Sequence, residues 1–377
     1  MISFEFATAT RIVFGTGKVK DLGAIIASFG KRVLVVRPPV TIEGMPEGVR
    51  FEVTGEPTIP LVREGTELAR SEGCDVVVGF GGGSAIDTAK AVAALLANGG
   101  DPLDYVEVVG KGKAIPKPSA PFIAVPTTAG TGAEVTRNAV LFSPEHKVKV
   151  SMRSAHMLAR VALVDPLLTI GLPPTVTAST GLDALTQVIE PFVSCKANPM
   201  TDAICREGMR RAARSLRRAF EHGDDAAARE DMSLASLFGG LALANAALGA
   251  VHGFAAPIGG MFPKAPHGAV CAALLAPVMD MNARALGGTG VPPVSPAGMN
   301  GRDARSTILQ RFDEVREIVG EIGELVRALK VPGLRAYGVS EADFPTIIEK
   351  AAVASSMKGN PVVLTAEELR EILLRAL

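Results

Sequence analysis

The chain has 377 residues, 47% of them hydrophobic and 21% charged, which suits a water-soluble protein of one large or two medium domains. Its 39 Lys and Arg balance 39 Asp and Glu, so no net field favours nucleic acid or an anionic membrane. Cys74, Cys195, Cys205 and Cys271 form no CxxC pair, and a chain of this size needs no disulfide staples, so a reduced, cytoplasmic protein is expected.

The N-terminal stretch, MISFEFATATRIVFG, has an acidic residue and no basic segment ahead of an apolar run, so no signal peptide is expected. β-branched runs ending at Gly or Pro predict strands over residues 32–36, 75–80, 121–125 and 161–164. Helical patterns over 61–72 and 85–97 separate some of them, whereas 37–48 is short and proline-bearing, so any helix there is small or missing. Strands that are continuously apolar belong to a parallel sheet covered on both faces.

After Asp165-Pro166 the strand signal ends. Helices are expected over 176–192, 200–222, 225–248, 269–285, 310–329, 341–354 and 366–377. The expected fold is therefore an α/β Rossmann-like domain over 1–165, then an all-α domain over 166–377, with the cleft between them as the default ligand site. Residues 232–263 carry no formal charge and imitate a membrane span. Their Ala and Gly content, with Asn245, His252 and Pro257, predicts instead a close-packed core helix. Residues 287–303 (GGTGVPPVSPAGMNGRD) are expected to be a surface loop insertion.

Two turns carry a phosphate-binding signal. GFGGGS at 79–84 follows a predicted strand and opens a helix, with Ser84 and Asp87 expected as a capping box. Glycines let backbone amides approach phosphate oxygens at a helix N-terminus. The strict dinucleotide fingerprint is absent, because Ser84 stands at its last glycine. The second turn, PTTAGTGAE at 126–134, also follows an apolar strand and offers Thr127, Thr128 and Thr131. Two such turns on neighbouring parallel strands would converge on one crevice. Gly17-Lys18 lacks the upstream glycine of a Walker loop.

A metal signal lies further on. Asp183 and Gln187 are four apart on one helix face, and His252 and His267 sit beside Gly- and Pro-rich turns. Asp183, His252 and His267 could hold one divalent cation with a position open, as catalytic sites do. Gln187, a neutral amide, would be at most a weak ligand. Taken singly, Asp183 reads more readily as a helix cap and His267 as a turn residue.

Over nearly its whole length the chain resembles the iron-containing (group III) alcohol dehydrogenase superfamily. The matching segments, in order, are TRIVFGTG (10–17), GGGSAIDTAK (81–90), PTTAGTGAEVT (126–136), VALVDP (161–166), GLDALTQVIEPF (181–192), HGFAAPIGG (252–260) and PHG (266–268). The resemblance implies a dehydroquinate synthase-like architecture, an N-terminal dinucleotide-binding domain and a helical domain. It implies hydride transfer between NAD or NADP and a small alcohol or aldehyde, with one divalent metal, Fe2+ or Zn2+. It places the metal on Asp183, His252 and His267, with Gln187 where the family has a further His. It places pyrophosphate contacts on Gly82, Gly83 and Ser84 beside Gly81 and Asp87, nicotinamide-side contacts on Thr127, Thr128 and Thr131, and a cofactor contact on Lys149. Arg37-Pro38 stand near an acidic position that favours NAD in some members, which permits NADP. Ala256 replaces a substrate-side His of many members, so water or the cofactor ribose would carry the proton. A homo-oligomer is implied; nucleic-acid and membrane partners are not.

Three other readings follow from the same resemblance. A maleylacetate-type keto acid reductase would need cations such as Lys149, Arg153, His156 or Lys264. A dehydroquinate synthase-like lyase shares the domain plan. A degenerate pseudoenzyme would explain Gln187 and Ala256.

Overall fold

The computed structural model describes residues 3–288 and 301–377. They form two compact units, Ala7–Gly171 and Leu172–Leu377, the second including the N-terminal residues up to Phe6. The division thus follows the short 3-10 turn Pro166–Thr169 instead of preceding it.

The first unit comprises β1 (Ile12–Phe14), α1 (Leu22–Ala27), β2 (Val33–Arg37), β3 (Val49–Glu52), α2 (Ile59–Ser71), β4 (Val76–Gly81), α3 (Gly83–Asn98), α4 (Pro102–Tyr105), β5 (Phe122–Pro126), β6 (Asn138–Ser143), β7 (Val148–Arg153) and β8 (Val161–Val164). Among the described residues, six strands form one sheet in the order β1-β8-β5-β4-β2-β3, every pair parallel. β2, β4, β5 and β8 are buried throughout, which is why they read as unbroken apolar runs. No helix joins β2 to β3, as the prolines at 38 and 39 suggested. Sequence reading missed β1, β3 and the antiparallel β6–β7 hairpin. These are short or half-exposed, so their pattern is weak.

Two motifs serve this frame. The buried Asp165 carboxylate, just past β8, accepts from the backbone N–H groups of Gly17, Val19 and Leu167 at 2.9–3.1 Å, so VALVDP anchors the turn after β1. Lys90, wholly buried on α3, donates to the carbonyls of Ala133 and Asn138 and to Thr136 Oγ1 at 2.7–2.9 Å. It thereby ties the loop after β5 to α3.

Glu134 in that loop is buried, and burial pushes its carboxyl up from the usual 4.5 to about 7. The folded chain therefore holds a proton that the unfolded chain releases above its lower pKa. Stability from this group is complete below pH 4.5 and is lost as pH rises through about 7. The loss is on the order of 3 kcal/mol at 1.36 kcal/mol per unit. Glu134→Gln should flatten that part of the stability-against-pH curve in urea melts; an unchanged slope would contradict the assignment.

The second unit is helical among the described residues: α5 (Pro174–Val193), α6 (Pro199–Glu221), α7 (Ala226–Ala246), α8 (Ala250–Met261), α9 (His267–Gly287), α10 (Gly301–Val319), α11 (Ile322–Ala328), α12 (Phe344–Val353) and α13 (Ala366–Ala376). α5 packs against α6, α7 and α9. Glycines set the close approaches. A methyl group on Gly181 would stand 2.2 Å from Leu216 Cδ1 of α6, and one on Gly208 2.7 Å from Val188 Cγ1 of α5.

The charge-free stretch 232–263 is not one helix. α7 and α8 meet at a bend of 100°, where Ala247 is left-handed (φ 59°) and Gly249 starts α8. α9 is long and apolar enough to cross a membrane, but 72% of its most apolar stretch is buried in the protein. The single helix expected over 310–329 is interrupted at Gly320, where φ is 76°. Of the loop expected over 287–303, residues 289–300 lie outside the described residues, Gly287 ends α9, and α10 already begins at Gly301.

Candidate functional sites

In the first unit the two predicted turns meet. β4 and β5 are neighbours, and Thr127 N–H donates to Gly81 O at 3.0 Å across their ends. A methyl group on Gly82 would lie 3.4 Å from Thr128 Oγ1, and one on Gly83 2.9 Å from Thr131 Cγ2. The space beside these glycines is thus lined by the threonines, and a side chain at 83 would fill it. Gly82 is the N-cap of α3 and no side chain caps the helix, so its first-turn N–H groups remain available to an anion. These features fit a dinucleotide pyrophosphate.

One expectation, the Ser84–Asp87 capping box, changes here. Ser84 is not an N-cap, because α3 starts at Gly83. Asp87 does not close a capping box. Its Oδ1 meets Lys90 Nζ at 3.2 Å and its Oδ2 accepts from Val140 N–H at 3.0 Å, so it holds β6 to α3. Lys149, on β7, is ion-paired with Glu56 at 2.9 Å. Arg37 at the end of β2 is buried; its Nε donates to Pro38 O and its head lies 3.9 Å from Glu52.

The second unit gathers Asp183 from α5, His252 from α8 and His267 from α9. The Nε2 atoms of His252 and His267 lie 3.4 and 3.8 Å from Asp183 Oδ1. His252 lies within α8, inside the stretch expected to be a close-packed core helix. Gln187 stands one turn after Asp183 on the same face of α5 and is buried. Asp183 Oδ1 and Gln187 Oε1 are buried without a hydrogen-bond partner. A buried carboxylate oxygen facing two imidazole nitrogens and lacking any donor is what a cation would satisfy. His267 is the accessible member, its side chain 32% exposed against 7% for His252 and 3% for Asp183.

Two further residues join the cluster that sequence reading did not select. Cys271, one turn after His267 on α9, places Sγ 3.8 Å from His252 Nε2 and 3.7 Å from His267 Nε2. The four donor atoms all lie within 4.8 Å of one another. The i, i+4 spacing of His267 and Cys271 was the available signal. Glu190, seven residues after Asp183 on the same face of α5, accepts from His252 Nδ1 at 2.6 Å and from Val251 N–H at 2.7 Å. It fixes the tautomer that turns Nε2 toward Asp183. Asn360 secures the same helix, its Oδ1 accepting from Ala250 N–H at 3.2 Å and from Asn282 on α9 at 3.0 Å.

The electrostatics are mutual. Burial opposes ionisation of Asp183, but the charges of His267 and His252 and hydrogen bonds outweigh it and hold the carboxyl low. Burial likewise opposes the Cys271 thiolate, yet the same two imidazoles hold the thiol below its usual value. A cation would take over that compensating charge, with release of the protons.

Glu190→Gln should leave the helical unit folded but weaken divalent-metal affinity about 10–100-fold, because His252 loses its anionic orienting partner. Chelator-competition titration measures this; unaltered affinity would leave Glu190 a packing role only.

Such parts define a class, dehydrogenases with a nucleotide-binding sheet in one unit and a metal-type cluster in a helical one. Comparison with known proteins gives the family. The iron-containing alcohol dehydrogenase family matches residues 9–166, and the family's C-terminal domain matches residues 177–377. Alcohol dehydrogenase 4 of Schizosaccharomyces pombe is 36% identical over 326 residues, 86% of this chain and 74% of that protein. The crystal structure of a 1,3-propanediol oxidoreductase superposes with TM-score 0.86 at 32% identity, covering all of both chains. Sulfoacetaldehyde reductase from Bifidobacterium kashiwanohense in complex with NAD+ has TM-score 0.84 at 27% identity, covering 100% of this chain and 99% of that one. The chain belongs to the iron-containing alcohol dehydrogenase family and is an oxidoreductase of that family.

Proposed function

We propose that the protein interconverts a short alcohol and its aldehyde with NAD(H) or NADP(H), using one divalent cation held by Asp183, His252 and His267. The observation that carries this is the buried Asp183 Oδ1, unpartnered and facing both imidazoles. A cation bound there supplies Lewis acidity toward a hydroxyl or carbonyl oxygen, and a bound nicotinamide accepts or supplies the hydride. The chain's own residues position these groups. Gly82, Gly83 and the first turn of α3 bind the pyrophosphate, and Thr127, Thr128 and Thr131 line the same turn. Glu190 holds the His252 ring in one tautomer, and His267 provides the accessible side of the cluster.

Ala256 lies one turn after His252 on α8, so no imidazole stands there to move the substrate proton. Water or the cofactor ribose carries it in this reading. The keto acid alternative is not favoured, since Lys149 and Arg153 are already paired with Glu56 and Glu107. The four cysteines are free, which supports a reducing, cytoplasmic setting.

The test is steady-state assay of the purified protein with Zn2+ or Fe2+ and with NADH and NADPH. The panel holds butanal, the aldehyde of 1,3-propanediol and maleylacetate. Metal-dependent reduction of the aldehydes is expected. Turnover that survives complete chelation, or reduction of maleylacetate alone, would overturn the reading.

A further inference from the structure

Position 187 lacks the imidazole that would complete a four-donor set, yet the cluster still contains four donors, because Cys271 supplies one from α9. We infer that Cys271 is a metal ligand, so that the resting cation is held by a carboxylate, two imidazoles and a thiolate, and a substrate oxygen would enter as a fifth ligand. This inference rests on the metal-bearing reading of Asp183, His252 and His267.

Geometry carries it. A tetrahedral cation with bonds of about 2.0–2.1 Å to nitrogen, about 2.0–2.2 Å to oxygen and about 2.3 Å to sulfur sets its N and O ligands about 3.4 Å apart and its N and S ligands about 3.6 Å apart. The observed N···O separations are 3.4 and 3.8 Å. The N···S separations are 3.8 and 3.7 Å. These four edges lie within a few tenths of an ångström of coordination distances, and all four donor atoms lie within 4.8 Å of one another. A thiol placed for packing would have no reason to sit equally far from two imidazole Nε2 atoms. Cys271 is moreover fully buried, as is Asp183 nearly, so sulfur, nitrogens and the orphaned Oδ1 share one interior point.

Gln187 stands buried one turn after Asp183, and its neutral amide is a weaker metal donor than a thiolate, which leaves the fourth ligand place to sulfur. The chemical consequence is selectivity. A thiolate in place of an imidazole shifts preference toward zinc and away from the hard cations magnesium and manganese.

Cobalt substitution tests the inference without reference to turnover. The metal-free full-length protein is loaded with one equivalent of Co2+ and its absorption spectrum recorded. The expected result is an intense near-ultraviolet thiolate-to-cobalt charge-transfer band beside the visible bands of four-coordinate cobalt. Cys271→Ser should abolish the first and retain visible bands, with Zn2+ affinity lowered roughly tenfold or more. Cys195→Ser, which alters the partly exposed thiol, should keep the charge-transfer band. Zinc X-ray absorption on the unaltered protein gives a reading that needs no variant to fold, with one sulfur at about 2.3 Å expected. Bound cobalt without the thiolate band, or zinc with only N and O neighbours, overturns the inference and leaves the Asp183/His252/His267 site standing. Failure to bind either metal overturns both.

Discussion

Asp183→Asn should leave both units folded while removing stoichiometric divalent metal and lowering kcat/KM for aldehyde reduction by roughly a thousandfold or more. The substitution keeps the shape of the side chain and removes only its charge. Asp183 sits on a well-buried turn of α5 and its Oδ1 has no partner in the protein, so no structural hydrogen bond is lost at that atom. What is lost is the anion that faces His252 and His267 at 3.4 and 3.8 Å. Lewis-acid assistance contributes several kcal/mol to reactions of this kind, and each 1.36 kcal/mol is about tenfold in rate. Elemental analysis with single-turnover kinetics checks the result. A variant that keeps both its metal and its rate would show that Asp183 is a structural carboxylate.

A second large effect should come from Gly268→Ala, although that residue contacts no substrate. α9 begins at His267, and at Gly268 its backbone crosses α5 so closely that a methyl group would lie 2.2 Å from Ser179 O and 2.7 Å from its carbon, with Asp183 Cβ at 3.3 Å. The obstacle is backbone, which cannot rotate away. α9 must therefore back off, carrying His267 and Cys271 from Asp183. Overpacking of this sort costs about 1–3 kcal/mol, and more where the backbone is rigid. The metal-induced rise in Tm should also shrink, because that rise measures affinity for the folded state. Gly287→Ala at the other end of α9 is the control: a methyl group there meets nothing within 4 Å, so its Tm should hold or rise slightly. Equal behaviour of the two variants would refute the close-crossing explanation.

The glycine in PHG thus has a mechanical reason, as do other small residues of the matching segments. Gly82 and Gly83 admit Thr128 and Thr131 of the neighbouring turn, and Gly81 admits Ala85 and Pro38. Several segments that look like one site signature in the chain divide by task. GGGSAIDTAK combines a helix start without a side-chain cap with the Asp87–Lys90 pair, which fastens β6 and the loop after β5. VALVDP is an anchoring carboxylate. GLDALTQVIEPF runs from Asp183 to the second carboxylate, Glu190, that aims His252.

By itself the sequence determined what depends on near neighbours. Continuous β-branched runs marked β2, β4, β5 and β8, because strands covered on both faces need apolar side chains at every position. Periodicity marked α5, α6 and α7, and the glycines and threonines after β4 and β5 announced two turns that meet at the start of α3. Only the tertiary structure decided the rest. α8 contains Pro257 and three glycines, so its local pattern did not show where α7 ends and α8 begins within the apolar stretch 232–263. Glu190 reaches His252 across 62 residues of chain, and Cys271 reaches it across 19 from the next helix. Such partners leave no periodic trace, because nothing in local backbone preference constrains which distant side chain completes a donor set. Gln187 marked the missing ligand in the sequence; the crossing of α5, α8 and α9 placed a sulfur within reach of the same point.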